Sequence, residues 1–473
     1  MNLQVLTNEE VSDIHNTSLR ILANVGVVIE HEGYLKLLED LGARVNWTKK
    51  LAKLPSHLVE ERIRRTPNSF ILGGRTREHD IFFGTGTTYV RSQSGCDHVI
   101  DSETGIFRLP TTEDVVKAAI LQDALENIDW CGSHIFPSDE PPMSRDVYQL
   151  ILMLENTLKP VGVQSYSVES FRYQIKAAKT VVGDEKEFRH RPLISVFPAP
   201  TSPLQISEYN CGLVLEASRE AIPVIPVSAP INGVSSPITL AGAITVIHAE
   251  MLSFLVLAQI SNLGTPFMYA ARPTCIDMRT TQVVWGSPEV GLMAAACVQM
   301  ARYIGIPVDF QSMSTESKVP DSQAAIEKAL NTTLAMLIKP DSIVGAGQLE
   351  SCRTSSFAQM VIDNEIIALA KRIARGINVN HETIALDLIS RLGPGGQFLG
   401  EKHTRQYFSK EHIIPDLFDR NAREKWTKED GKDLAARTKQ KVRRILNEHQ
   451  PQPLDKDVQK KLREIMNDAR RAL

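Results

Sequence analysis

The chain has 473 residues and a formal net charge of −3. With 42% apolar and 23% charged residues it has the makeup of a folded globular protein, which excludes a disordered one. The 53 Lys and Arg against 56 Asp and Glu leave no basic excess for a nucleic-acid or anionic-membrane partner. The six cysteines, Cys96, Cys131, Cys211, Cys275, Cys297 and Cys352, are scattered without C-x-x-C spacing, so neither a disulfide framework nor a structural zinc site is expected.

The first ten residues lack the basic head and apolar run of a signal peptide, and a cytoplasmic location is expected. Asn8 to Val25 and His57 to Arg65 read as helices, followed by short β segments at Phe70 to Leu72 and Thr88 to Gln93. One unit then recurs: an amphipathic helix, a proline, a short apolar strand and a loop of small and polar residues. The strands run 160–166, 192–197, 223–229, 266–271, 307–312 and 340–346, each opening on a proline, with Ile128 to His134 ahead of them. The prolines recur about every 36 residues, the size of one βα unit. The greasiest segment, Gly242 to Ile260, carries His248 and Glu250 and reads as a buried helix, not a membrane span. Beyond residue 400 the chain is charged and helical, with a long run from Asn421 to Glu448.

Apolar strands alternating with helices predict a parallel sheet covered by helices, and this many units favour a (β/α)8 TIM barrel. The expected division is an N-terminal helical and β cap (1–115), the barrel (116–400) and a C-terminal helical extension (401–473). An open doubly wound sheet would want a phosphate loop, and Gly345-Ala-Gly-Gln-Leu-Glu350 lacks the last glycine of G-x-G-x-x-G.

Catalytic groups of such a barrel come from the C-terminal ends of its strands. The residues there, His134, Gln164, Ser165, Tyr166, Ser228, Gln311, Ser314 and Gln348 among them, are mostly neutral amides and hydroxyls. No H-E-x-x-H or tight His/Cys/Asp group appears, Cys96-Asp97-His98 being the nearest approach, so no bound metal is expected. Rings and amides suit a substrate whose charge is permanent and diffuse, such as a quaternary ammonium held over aromatic faces.

Several stretches resemble the trimethylamine methyltransferase family, the MttB superfamily of corrinoid-protein-dependent methyltransferases. They are Ile14 to Val27, Gly345 to Ser351, Gln359 to Ile366, Gly395 to Thr404 and the Trp426, Gly431, Asp433 tail, so the resemblance spans nearly the whole chain. It implies a (β/α)8 barrel that moves a methyl group from an amine nitrogen to the cobalt of a separate corrinoid protein. The chain reads through without a non-standard residue and so resembles the pyrrolysine-free branch, whose members act on glycine betaine, proline betaine, carnitine and γ-butyrobetaine. Asp13-Ile-His15-Asn-Thr-Ser18 lacks the glycine of the cobalamin motif D-x-H-x-x-G. The corrinoid is therefore expected from a partner protein, with no cofactor bound covalently here.

On that resemblance Gln348 and Glu350 are the expected catalytic pair, shaping the floor where the relatives carry pyrrolysine. Tyr89, Phe197, Tyr269, Phe310 and Phe357 would offer ring faces to the trimethylammonium, with Asn232 beside them. Arg272 would hold a betaine carboxylate, or else pair with a carboxylate of the barrel. His403 would face the corrinoid or cap the next helix. Glycine betaine is the favoured substrate and a homo-oligomer is expected. The alternatives are a tetrahydrofolate–corrinoid methyltransferase, with Asp309 and Asn232 holding the pterin, and a non-catalytic quaternary-amine binder.

Overall fold

The computed structural model describes residues 3–473. Eight short parallel strands organise it: β1 (Tyr89–Ser92), β2 (Cys131–Gly132), β3 (Val161–Val163), β4 (Ile194–Val196), β5 (Val227–Ser228), β6 (Ala270–Ala271), β7 (Asp309–Gln311) and β8 (Ser342–Ala346). A helix follows each of them: Thr112–Ala124, Arg145–Asn156, Val168–Val182, Glu208–Arg219, Leu240–Ser261, Pro288–Tyr303, Ser322–Ile338 and Phe357–Arg375. β1 meets β2 at Arg91 and Trp130, β2 pairs with β3, and β3 with β4. Val224 bridges Val196 to Phe267 ahead of the β5–β6 pair, and Tyr269 meets Val308 at the start of β7. β7 pairs with β8, and β8 pairs back with β1.

These parallel contacts give the α/β fold that the recurring unit predicts. Pro160, Pro223, Pro266 and Pro307 stand at strand entries, where a missing N–H leaves no ladder bond broken. Their carbonyls still accept, from Cys131, Val196, Val224 and Tyr269 at 2.8–3.2 Å. One boundary differs from expectation. β1 lies inside the stretch 1–115 assigned to the cap, yet its Tyr89, Val90 and Arg91 register against Ser342, Ile343 and Val344 of β8. Thr88 to Gln93 reads as a β segment, but it stands ahead of the recurring spacing and without the proline that opens six of the strands.

An antiparallel hairpin, Phe70–Leu72 with Ile81–Phe83, seals the N-terminal ends of the strands. Gly73 N–H donates to Pro192 O at 2.8 Å, Arg75 N–H to Leu158 O at 2.8 Å, and Gly84 N–H to the Asp341 carboxylate at 2.9 Å. Its apolar face forms its own cluster with Trp130, Ile225, Met268 and Ala270, apart from the main core between strands and helices. The Phe83 ring is buried, with its centroid 5.1 Å from Phe70 and 5.6 Å from both Tyr89 and Trp130. Phe83→Ala is expected to lose about 3–5 kcal/mol in urea unfolding. A loss below about 1 kcal/mol would show that the hairpin is peripheral to the fold.

The helix Asn8–Asn24 starts on a capping box in which Glu10 N–H donates to Thr7 Oγ1 at 3.3 Å and Thr7 N–H to Glu10 Oε2 at 2.7 Å. It packs on Leu240–Ser261, the apolar helix, whose most hydrophobic window is 72% buried within the fold. A buried polar chain ties the two together: His15 Nδ1 lies 2.9 Å from His248 Nε2, and His248 Nδ1 lies 3.2 Å from the Tyr269 hydroxyl. At the other end of the chain the expected long helix from Asn421 to Glu448 is split. Arg423–Lys428 stops before Gly431, whose φ of 54° leaves the helical region, and Leu434–Glu448 restarts on an Asp433 cap. Leu434–Glu448 packs on Phe357–Arg375, and the last helix, Lys456–Ala472, on Val168–Val182.

Candidate functional site

The polar interior rests on three charged side chains. β8 pairs with both β1 and β7, so a contact between side chains of those two strands spans the width of β8. Arg91 of β1 makes that crossing, with Nη2 3.8 Å from Asp309 Oδ2. Its guanidinium lies over two rings, 4.3 Å from the centroid of Phe197 and 4.8 Å from that of Trp130, and Nη1 donates to Ser94 Oγ at 2.6 Å. Arg272, just past β6, donates from Nη2 to the same Asp309 Oδ2 and from Nη1 to Ala271 O at 3.0 Å. All three are buried. Burial alone would push the Asp309 carboxyl up, and the two guanidiniums overcome it and hold the group below its ordinary value. Burial pushes Arg91 down to about 9, which leaves it charged at neutral pH.

Beyond this floor, at the C-terminal ends of the strands, the groups are neutral. Gln311 donates from Nε2 to Ser314 Oγ at 2.6 Å and to Cys352 Sγ at 3.3 Å. Gln348 donates to Met313 O at 2.9 Å and accepts from Cys352 N–H at 2.8 Å. The turn that carries Cys352 is strained: Glu350, Ser351 and Cys352 have φ of 52°, 54° and 74°. A left-handed L-residue costs roughly 1–2 kcal/mol. Ser317 O and Thr315 O hold the turn by accepting from Glu350 and Ser351 N–H at 2.8 and 2.9 Å. Such strain persists only where the surroundings over-determine it, and it gathers at functional sites. Burial pushes the Cys352 thiol up to about 11. Carboxylates reappear at the rim: Glu316, after β7, accepts from Trp285 N–H at 2.6 Å and Gly286 N–H at 3.1 Å, and Glu350 follows β8.

Several expected roles change. Tyr89 sits at the entry end of β1 with its ring against Phe83, so it belongs to the hairpin plug and not to the C-terminal face. Tyr269 turns its hydroxyl outward to His248 on the helix Leu240–Ser261, away from the interior. Phe310 alternates with Asp309 and Gln311 along β7 and joins the main core on the helix side, as does the buried Phe357 at the start of its helix. Phe197 does face the interior, where the cation over its ring is Arg91. Arg272 takes the ion-pair role, on Asp309.

Asn232 is buried beyond β5, with Nδ2 3.8 Å from Met293 Sδ and its Oδ1 unpaired. Both ends of the Gln348 amide bond within the chain, and Glu350 is half-buried, accepting from Thr354 Oγ1 at 2.7 Å. His403 lies on Lys402–Glu411, Nε2 3.2 Å from Glu382 O, in a cavity of about 290 Å3 shared with Gln406 and Tyr407. Cys96 is buried, while Asp97 and His98 pair with each other at 2.9 Å. The residues that the pattern missed are Arg91, Trp130 and Cys352. The signal for Arg91 was a charge inside a β segment.

His134, after β2, is locked neutral. Its Nδ1 lies 3.0 Å from Gln93 O and its Nε2 2.8 Å from Ser355 Oγ, so the carbonyl assigns the proton to Nδ1 and Nε2 accepts from the hydroxyl. Burial pushes its pKa down to about 4, and burial likewise lowers His15 and His248. The unfolded chain takes up these protons near pH 6.5, and the folded chain does not until lower pH. Stability is therefore lost as pH falls below 6.5, for His134 by about 1.4 kcal/mol per unit. For His134 the loss reaches about 3 kcal/mol by pH 4, where its folded state begins to titrate. The urea midpoint is expected to fall between pH 7 and pH 5, and to fall less in His134→Gln; equal slopes would refute the assignment.

The family model described as trimethylamine methyltransferase (MTTB) matches residues 1–473. A trimethylamine methyltransferase MttB of Desulfitobacterium hafniense (strain DSM 10664 / DCB-2) is 33% identical over 463 residues, covering 98% of this chain and 93% of the relative. The MttB of Methanosarcina barkeri is 33% identical over 490 residues, covering 100% and 96%. A glycine betaine methyltransferase of Desulfitobacterium hafniense (strain Y51) is 28% identical over 460 residues, covering 97% and 95%. Among solved structures, the monomethylamine methyltransferase MtmB of Methanosarcina barkeri has a TM-score of 0.56 at 11% identity, covering 98% of this chain and 89% of that one, a likeness of fold.

Proposed function

Because the chain belongs to the trimethylamine methyltransferase family and is a methyltransferase, we propose that it moves a methyl group from a quaternary amine, glycine betaine first among them, to a reduced corrinoid carried by a separate protein. The observation that carries this reading is that three titratable groups of the interior are held away from proton transfer near neutral pH. His134 is held neutral by two hydrogen bonds, Asp309 is spent on two guanidiniums, and the Cys352 thiol is pushed up to about 11.

A tertiary amine must be made cationic before it can lose a methyl group well. A quaternary nitrogen already is, and departs as a neutral amine with its electron pair. The acceptor brings a strong nucleophile, so the protein's part is to orient the substrate, exclude water and stabilise charge, with no acid or base required. The neutral side chains of Gln311, Gln348 and Ser314 suit that task. The ring of eight parallel pairings supports a (β/α)8 barrel, with the reaction at the C-terminal ends of its strands. The exposed aliphatic side chains of Ile377, Val379, Leu386 and Leu399 support a homo-oligomer.

The test incubates the protein with a reduced corrinoid protein and a panel of amines while the visible spectrum of the corrinoid is followed. A spectral change with quaternary amines is expected. No change with any of them overturns the reading, and a change with methyl-tetrahydrofolate instead would favour pterin chemistry.

A further inference from the structure

The three buried charges of the floor do not cancel. Asp309 carries one negative charge, and both Arg272 and Arg91 face it. Arg272 is the closer partner and is further spent on two backbone carbonyls, Ala271 O at 3.0 Å and Asp309 O at 3.3 Å. Arg91 stands 3.8 Å from the carboxylate and makes one side-chain hydrogen bond, to Ser94, while its Nε–H is buried without a partner. Only 3% of Arg91 is exposed, so the missing partner is not bulk water. The nearby ionised pair, Lys328 with Asp363 at 2.7 Å, balances itself and contributes nothing to the surplus.

A buried guanidinium with an unpartnered Nε–H that shares its one carboxylate with a second arginine is a site for an anion, and its planar fork fits a carboxylate. Phe197 and Trp130 hold the guanidinium in place by lying against its face, so they fix Arg91 and are not free to cage a second cation.

We propose that Arg91 receives the carboxylate of the amine substrate, which is therefore a betaine-class zwitterion lying with its carboxylate on the floor and its methylated nitrogen toward the C-terminal ends of the strands. This rests on the methyl-transfer reading for the nitrogen end alone. The carboxylate end stands on the charge surplus. A carboxylate held on the floor turns the methyl groups to the face from which an acceptor protein approaches, and the buried cation disfavours amines that lack an anionic group.

The test measures binding by calorimetry with 3,3-dimethylbutanoate, in which a neutral carbon replaces the quaternary nitrogen of glycine betaine. The isostere is expected to bind the full chain more tightly than tetramethylammonium does. Arg91→Met is expected to weaken it by about ten- to a hundredfold, the loss of one charge-assisted contact, and Arg91→Lys to fall between. Arg91→Met leaves Asp309 paired with Arg272 and removes the surplus charge, so it is expected to fold, as an unchanged far-ultraviolet dichroism spectrum would show. Equal affinity in wild type and Arg91→Met, or no binding of the isostere, overturns the proposal. The isostere has no methyl group to give. Arg91-dependent binding with no amine demethylated would therefore leave this site standing and remove the methyl-transfer reading, and demethylation with Arg91-independent binding would do the reverse.

Discussion

Lys328→Met is expected to destabilise the chain by about 3–5 kcal/mol, the range for removing one partner of a buried ion pair. Lys328 and Asp363 are both fully buried, with Nζ donating to Oδ2 at 2.7 Å. The carboxylate also accepts from Gly347 N–H at 2.7 Å and from Gln359 Nε2 at 2.7 Å. It therefore anchors the glycine that leads out of β8 to the helix Phe357–Arg375. Burial already pushes the Asp363 carboxyl above its ordinary range. Without the ammonium it rises further, so the folded variant holds a proton that the unfolded chain releases. Its stability is then expected to fall as pH rises through that window, the opposite of the histidine effect. Urea unfolding at pH 5 and pH 8 reads both statements. A double replacement, Lys328→Met with Asp363→Leu, is expected to recover part of the loss, since an apolar pair of similar volume leaves no charge unmatched. A single variant as stable as wild type would show that the pair holds nothing together.

Asp309→Asn is expected to lose a similar amount, about 3–5 kcal/mol, because two buried guanidiniums are left facing each other with no counter-charge. Adding Arg91→Met to it is expected to restore a substantial part, and the coupling between the two positions is read from a double-mutant cycle of urea midpoints. Additive effects would mean that Arg91 and Asp309 do not interact. The cycle also separates the charges as structure from the charges as binding site. Asp309→Asn leaves both guanidiniums free and is expected to tighten an added carboxylate, whereas Arg91→Met weakens it.

The elements were legible because each rests on a local rule. Proline at the strand entry, an apolar run of four to six residues and an amphipathic helix repeat at one spacing, and the eight helices follow their strands as expected. β1, which stands ahead of the recurring spacing, lies within the stretch 1–115 while the other seven strands lie within 116–400. The long apolar helix was recognised as buried because His248 and Glu250 interrupt it. Both are engaged within the fold, Glu250 accepting from Leu204 N–H at 2.9 Å and from Ser202 Oγ at 3.0 Å.

The site was much less legible. Strands of a parallel sheet are apolar on both faces, so alternation does not say which face looks inward and which looks toward the helices. Phe310 and Tyr269 therefore read the same as Phe197, although the first two pack toward the helices and only the third reaches the interior. Tyr89 read as a ring facing the substrate because a sequence does not show that the hairpin ending at Phe83, six residues upstream, folds back over the entry ends of the strands.

What the sequence determined by itself was the order of strands and helices, the near-neutral charge, the scarcity of metal-ligand clusters and the family likeness, all properties of spacing and composition. What only the tertiary structure decided was which charges meet. Arg91 and Asp309 lie on β1 and β7 and Arg272 just past β6, with 181 residues of chain between Arg91 and Arg272 and 218 between Arg91 and Asp309. In water such charges are screened within about 10 Å, and they acquire a fixed relation only when the strands bring them together out of solvent. Burial then makes an unmatched positive charge matter, and so turns a lone arginine in a strand into the floor of a binding site.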